Sequence, residues 1–156
     1  MGVASASEPR GTKRDERQAD TAARERNTIV TQRGHSPDCF VCGRLGVVVH
    51  AADGAAYADL LLADGVTGPA GLIHGGVTSA VFDEVLGAAA NNAAPGSMTA
   101  HLEVDYRRPW RLGEPARMTA RAERDGERKL QVTGELTDSS GTCLAEARGL
   151  WIVPRA

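Results

Sequence analysis

Past Cys39 the chain alternates short apolar–polar patterns with turn residues. "LGVVVHA" (45–51) and "AAYADLLL" (55–62) flank Ala52-Asp53-Gly54 and predict a β-hairpin. An apolar run from about Gly75 to Ala93 predicts a helix, with "NNAAPG" (91–96) as its stop. "TAHLEVDYRR" then places Leu102, Val104 and Tyr106 on one face of a strand that Pro109 ends. "ARMTARAER", "KLQVTGELT" and "CLAEARGLWIV" follow, separated by Asp125-Gly126 and "DSSG", residues that positive φ favours. The pattern predicts two strands, one long helix and four strands in a meander. Its economical fold is class α+β, an antiparallel sheet with one helix across a face.

The helix is apolar almost all round: Val77, Ala80, Val81, Phe82, Val85, Leu86 and Ala88 to Ala90 cover nearly every side. Such a helix is buried all round, and one sheet covers only one face. The remaining surface calls for a second copy of the chain, so a homodimer or homotetramer is expected. Two adjacent acids, Asp83 and Glu84, interrupt the apolar run. An unpartnered buried carboxylate costs several kcal/mol, so acids here need a reason.

Composition narrows the function classes. The 156 residues suggest one domain, and 42% hydrophobic content supports a core. A net charge of −2 gives no footprint for nucleic acid or an anionic membrane. No apolar run reaches the roughly 20 residues of a membrane helix, and no secretory signal is evident. Three cysteines without an export signal fit the cytoplasm. Residues 1–36 are charged and carry one short apolar run at Ile29-Val30, so a disordered or solvated segment is expected there, with the domain proper at 37–156.

Within "GLIHGGVTSAVFDEVLG" (71–87), the spacing H-G-G-x6-D resembles the hotdog-fold acyl-CoA thioesterases of the phenylacetic-acid-degradation type. "GPAGLIHGG" (68–76), "MTAHLEVDYRRP" (98–109) and "CFVCG" (39–43) resemble more closely the branch of thioesterase superfamily members four and five. The resemblance covers about Cys39 to Val153. It implies a sheet wrapped around the central helix, dimers that pair their sheets, active sites at the dimer interface, and hydrolysis of a coenzyme A or acyl-carrier-protein thioester without a cofactor.

Site residues follow from chemistry and resemblance together. Gly75 and Gly76 open the helix, where the first backbone N–H groups lack intrahelical partners and the dipole favours negative charge. The resemblance implies that the Gly75 amide polarises the thioester oxygen and that Asp83 is the catalytic carboxylate, as base or nucleophile. It also implies that Thr99 positions the water or the acid. His74 is expected to be a hydrogen-bonding residue at the helix start rather than the base. Glu84 is read as a salt-bridged or solvent-edge acid. Arg107 and Arg108 are candidate phosphate ligands. Gly75 and Asp83 stand eight positions apart on one helix, roughly 12 Å at about 1.5 Å per residue. One carbonyl cannot touch both, so a shared thioester needs them from different subunits. Two departures from relatives are Gly68, where some carry Asn or Gln, and Gly87, where others carry Thr.

Cys39-x2-Cys42, between His35 and His50, superficially matches a zinc site but lacks a second paired half. The expectation is a structural turn and no metal. Competing functions are a hotdog hydratase or dehydratase, and a non-catalytic acyl-CoA-binding protein. A histidine on the same turn as the oxyanion donors argues against the first, and the paired Gly75 and Asp83 argue against the second.

Overall fold

The computed structural model describes residues 30–32, 36–63 and 65–155. Seven strands form one antiparallel sheet: β1 Val30–Gln32, β2 Val49–Ala52, β3 Ala55–Leu60, β4 Met98–Tyr106, β5 Ala116–Asp125, β6 Lys129–Asp138 and β7 Cys143–Ile152. One helix, α1 Gly75–Ala93, crosses the sheet, and a single π-helical turn, Phe40–Arg44, precedes β2.

The hairpins form as their turn residues dictate. Asp53 (φ 50°) and Gly54 (φ 71°) both take the left-handed conformation that a two-residue β2–β3 turn requires. Inward positions of β3, β5, β6 and β7 include Ala56, Ala58, Met118, Leu130, Val132 and Trp151, all buried, while their neighbours point to solvent. Val81, Phe82, Val85, Leu86, Ala89 and Ala90 of α1 lie against them with no exposed surface. Small residues on the sheet let the helix sit close. At Gly134 of β6 a Cβ would stand 2.6 Å from Leu86 Cδ1 and 2.7 Å from the Thr119 carbonyl oxygen, so only glycine fits under the helix.

The strand order corrects the meander. It is β1-β2-β3-β5-β6-β7-β4, so of the four strands after the helix only β5, β6 and β7 follow one another. β4 lies at the far edge on β7, and β3 takes the place beside β5. The reason is the connection: residues 107–115 contain Pro109 and Pro115 and cannot form a tight hairpin, so the chain crosses to the other edge. A second difference lies near the start of the described chain, where Val30–Gln32 pairs with Val49–Ala51 as an edge strand. No helix among the described residues is long and apolar enough to cross a membrane.

Candidate active site

His74 starts α1. Its backbone is extended (φ −62°, ψ 133°), and its Nδ1 accepts a hydrogen bond from the Gly76 N–H at 2.9 Å. An N-cap contact of this kind satisfies one of the helix's orphan donors. The histidine ring is therefore used locally, as expected of a hydrogen-bonding residue at the helix start. The preceding loop is fixed by the His74 N–H to the Val66 carbonyl at 2.9 Å and the Ile73 N–H to the Trp110 carbonyl at 2.9 Å. A Cβ on Gly68 would lie 3.2 Å from the His74 Cα, so the glycine lets the loop cross close to the helix start.

The two glycine amides are not equivalent. That of Gly76 is taken by His74, whereas the Gly75 N–H has no partner among the described residues. Gly75 is held from its other side. The Tyr106 hydroxyl donates to the Gly75 carbonyl at 2.7 Å and lies 2.6 Å from Ser79 Oγ. Gly75, Thr78, Tyr106, Arg108, Trp110 and Leu144 line one cleft of about 360 Å³. Tyr106 and Ser79 were outside the sequence-derived site. The YRRP motif pointed at Tyr106 only as a strand residue, and Ser79 carried no signal.

Two helical turns further on is a second cleft, of about 470 Å³, lined by Asp83, Glu84, Gly87, Asn91, Thr99 and Trp151 among others. Here Thr99 Oγ1 donates to Asp83 Oδ1 at 2.8 Å. The β4–β7 ladder slips by one residue between Thr99 and His101, a bulge that gives Thr99 its own aim at the edge of the sheet. Asn91 closes the far end of the cleft: it donates to the Gly87 and Ser97 carbonyls at 3.0 and 3.1 Å and accepts from the Gly96 N–H at 3.1 Å. Ser97, buried beside it, has a hydroxyl with no partner among the described residues, a cost of about 1–3 kcal/mol until water or a ligand engages it.

The burial of Asp83 needs correction. The apolar run predicts a carboxylate in an apolar interior, yet Asp83 is exposed and Glu84 half-buried in the single chain. A stripe of α1 through Gly76, Ala80, Asp83 and Gly87 is left uncovered because the sheet stops at β4 on that side. β4 itself is open, with Met98 64% and Tyr106 53% exposed. The acid faces this open surface.

The arginines divide. Arg107 donates through Nε and Nη2 to Glu146 Oε2 at 3.0 and 2.8 Å, and this hydrogen bonding to Glu146 pushes its guanidinium pKa up. Arg108 donates to the Cys143 carbonyl at 3.1 Å, and both arginines line the Gly75 cleft. A larger concavity of about 580 Å³ lies on the outer face of the sheet, between outward positions such as Arg121, Glu135 and Arg148. Of the sequence-derived site residues it includes Arg107 alone.

A family model described as the thioesterase superfamily matches residues 70–145, the span that holds α1, Asp83 and Thr99. A phenylacetic acid degradation-related protein of Ralstonia eutropha JMP134, a candidate thioesterase, is 31% identical, and the match covers 78% of this chain and 95% of that one at a TM-score of 0.67. The chain belongs to the thioesterase superfamily. Its sheet wrapped on one helix is the hotdog fold that the motifs imply. The PaaI protein from the phenylacetic acid degradation operon of E. coli superposes at a TM-score of 0.70 over 92% of this chain and 96% of that one; at 16% identity it speaks for the fold alone. Acyl-coenzyme A thioesterase THEM4 of Xenopus laevis is 34% identical over 86 residues, which are 54% of this chain. The chain spans 39% of that relative's length.

Proposed function

We propose that this thioesterase-superfamily chain hydrolyses an acyl thioester, of coenzyme A or an acyl-carrier protein, in a site completed by a second copy of itself. One observation carries the reading: a single protomer holds two half-sites on one open face, an unengaged Gly75 amide in one cleft and a Thr99-oriented Asp83 in the other. The continuous helix between them separates these groups by roughly 12 Å. Neither half can hydrolyse a thioester alone.

Set against a partner related by two-fold symmetry, the Gly75 cleft of one copy would face the Asp83 cleft of the other. The thioester oxygen would accept from the Gly75 N–H, strengthened by the helix dipole as the oxygen gains negative charge. Thr99 donates to Asp83 Oδ1, and Oδ2 is the oxygen that would act on substrate. Asp83 then either removes a proton from an attacking water or attacks the carbonyl carbon itself. In both courses the C–S bond breaks, the thiolate leaves and takes up a proton, and water supplies the hydroxyl of the free acid. Arg108, at the rim of the Gly75 cleft, is the better placed of the two arginines for a phosphate of the carrier, because Arg107 is already neutralised by Glu146. The His74 ring is spent on capping, which speaks against the acid–histidine pair of a hydratase.

The experiment is release of free thiol from a panel of acyl-CoA and acyl-carrier-protein thioesters by the purified protein. Turnover that disappears in Asp83→Asn is the expected result. A folded, oligomeric wild type that cleaves no member of the panel would overturn the proposal.

A further inference from the structure

The cysteine pair set aside in the sequence acquires a third partner in the fold. Cys39 and Cys42 flank the start of the π-helical turn Phe40–Arg44, and Glu84 comes from α1. One ligand atom from each, two sulfurs and a carboxylate oxygen, all lie within 4.8 Å of one another, and all three residues are half-buried.

The turn is built to hold this arrangement. The Cys39 carbonyl accepts from both the Gly43 N–H at 3.0 Å and the Arg44 N–H at 2.9 Å, and the Phe40 carbonyl accepts from the Leu45 N–H at 3.1 Å. The bonds from Arg44 to Cys39 and from Leu45 to Phe40, each spanning five residues, define a π turn, a form that recurs at functional positions. The Cys39 N–H donates to the Ser36 carbonyl at 3.0 Å, so residues 36–39 fold back over the turn. A Cβ on Gly43 would collide with the Pro37 carbonyl, and only glycine permits the fold-back. Val41, buried in the core, anchors the turn from beneath. Both sulfurs thus arrive beside the same point on α1.

We propose that Cys39, Cys42 and Glu84 form a zinc site that clamps the turn before β2 onto α1, one residue beyond Asp83. Two thiolates in C-x2-C spacing with one carboxylate are a soft–hard mixed donor set that suits zinc. Calcium and magnesium take all-oxygen shells, and iron–sulfur clusters require about four protein ligands, so neither fits. Three protein ligands leave one position of a tetrahedral zinc to a further donor. Sequence reasoning passed over the site because it sought a second Cys or His pair along the chain; the third ligand is an acid brought in by the helix. The site gives Glu84 a role distinct from that of its neighbour Asp83, and it stands whether or not the thioester reading does.

The test is zinc analysis and cobalt replacement on the full-length protein purified under reducing conditions. The expected result is about one zinc per chain and, after cobalt replacement, a thiolate-to-metal charge-transfer band. Cys39→Ser with Cys42→Ser should abolish both, Cys143→Ser should keep both, and Glu84→Gln should weaken binding ~10-fold or more. Chelation should lower the wild-type Tm by roughly 5 °C or more and leave the double serine variant unmoved. Should the double variant fail to fold, the wild-type cobalt spectrum and Glu84→Gln decide. Reduced wild type that neither retains nor takes up zinc, zinc that survives the double substitution, or unchanged affinity in Glu84→Gln would each overturn the proposal.

Discussion

At Asp83 the helix carries a carboxylate whose Oδ1 accepts from the Thr99 hydroxyl at 2.8 Å. Substitution by asparagine keeps the shape and the hydrogen bond and removes the charge. Asp83→Asn should fold and assemble normally, with kcat lower by ~10²–10⁴, the range of a positioned acid–base group, measured by thiol release at saturating substrate. Glu84→Gln should keep kcat within about tenfold, a loss of roughly 1.4 kcal/mol or less. An inactive Glu84→Gln beside an active Asp83→Asn would reverse the assignment. Gly75 offers a cleaner probe of the oxyanion donor. It is the first residue of α1, where proline is tolerated, and His74 already has the extended backbone that a residue before proline adopts. Gly75→Pro therefore deletes one N–H without breaking the helix. Its kcat should fall ~10²–10³, the effect of losing one oxyanion donor, while far-UV circular dichroism stays the same. Activity near that of wild type would remove Gly75 from the mechanism.

Among the elements, β6 and α1 approach most tightly where Gly134 has no side chain. Gly134 lies under Leu86, and an added methyl would have to displace either the leucine or the β5 backbone at Thr119. Gly134→Ala should therefore destabilise by about 1–3 kcal/mol, seen as a Tm lower by several degrees, although alanine suits a strand better than glycine does. A higher Tm would mean that the helix has slack at this crossing. β4 raises a different matter. It is an edge strand of nine residues with an open backbone rim and exposed Met98 and Tyr106, the kind of edge that soluble proteins cover or blunt. Its Thr99–His101 bulge also aims the threonine at Asp83, so the same strand borders both the proposed catalytic acid and the uncovered face.

For the whole molecule, the uncovered stripe of α1 and the edge of β4 form one surface, the one that the proposed second copy would cover. Light scattering at micromolar concentration should give a dimer or a multiple of it; a stable monomer would end the shared-site reading. A stronger check mixes the two inactive variants. A heterodimer of Asp83→Asn with Gly75→Pro contains one doubly altered site and one site with both the amide and the acid intact. Co-expression should restore thiol release that neither variant shows alone, and no restoration would place both groups on one subunit's site. The charged segment at the start of the chain is proposed to lie outside the catalytic domain. Because Val30–Gln32 pairs with β2, the informative cut is after residue 29. Removal of 1–29 should leave both Tm and thiol release close to those of the full chain, and a large drop in either would show that the segment belongs to the domain.

The sequence by itself determined whatever depends on local periodicity. The helix limits at Gly75 and Ala93 were legible because its apolar run is long, a histidine and two glycines open it, and Asn91 and its neighbours end it. The β5, β6 and β7 hairpins were legible from Asp125-Gly126 and "DSSG", since turn chemistry acts over a few residues. The H-G-G-x6-D spacing marked Gly75 and Asp83 through its resemblance to the hotdog thioesterases, and the helix turned that spacing into a distance. Only the tertiary structure could decide the rest, which depends on contacts between distant segments. Proline in the β4–β5 connection excluded a tight hairpin, but nothing local says that β4 crosses to β7. Apolar residues around α1 predicted burial, yet which stripe the sheet leaves open, and with it the exposure of Asp83, depends on where the sheet ends. The difference between the Gly75 and Gly76 amides needs the His74 ring in place. Glu84 reaches the cysteine pair only because the π turn packs on α1, a contact between segments that no pattern along the chain records.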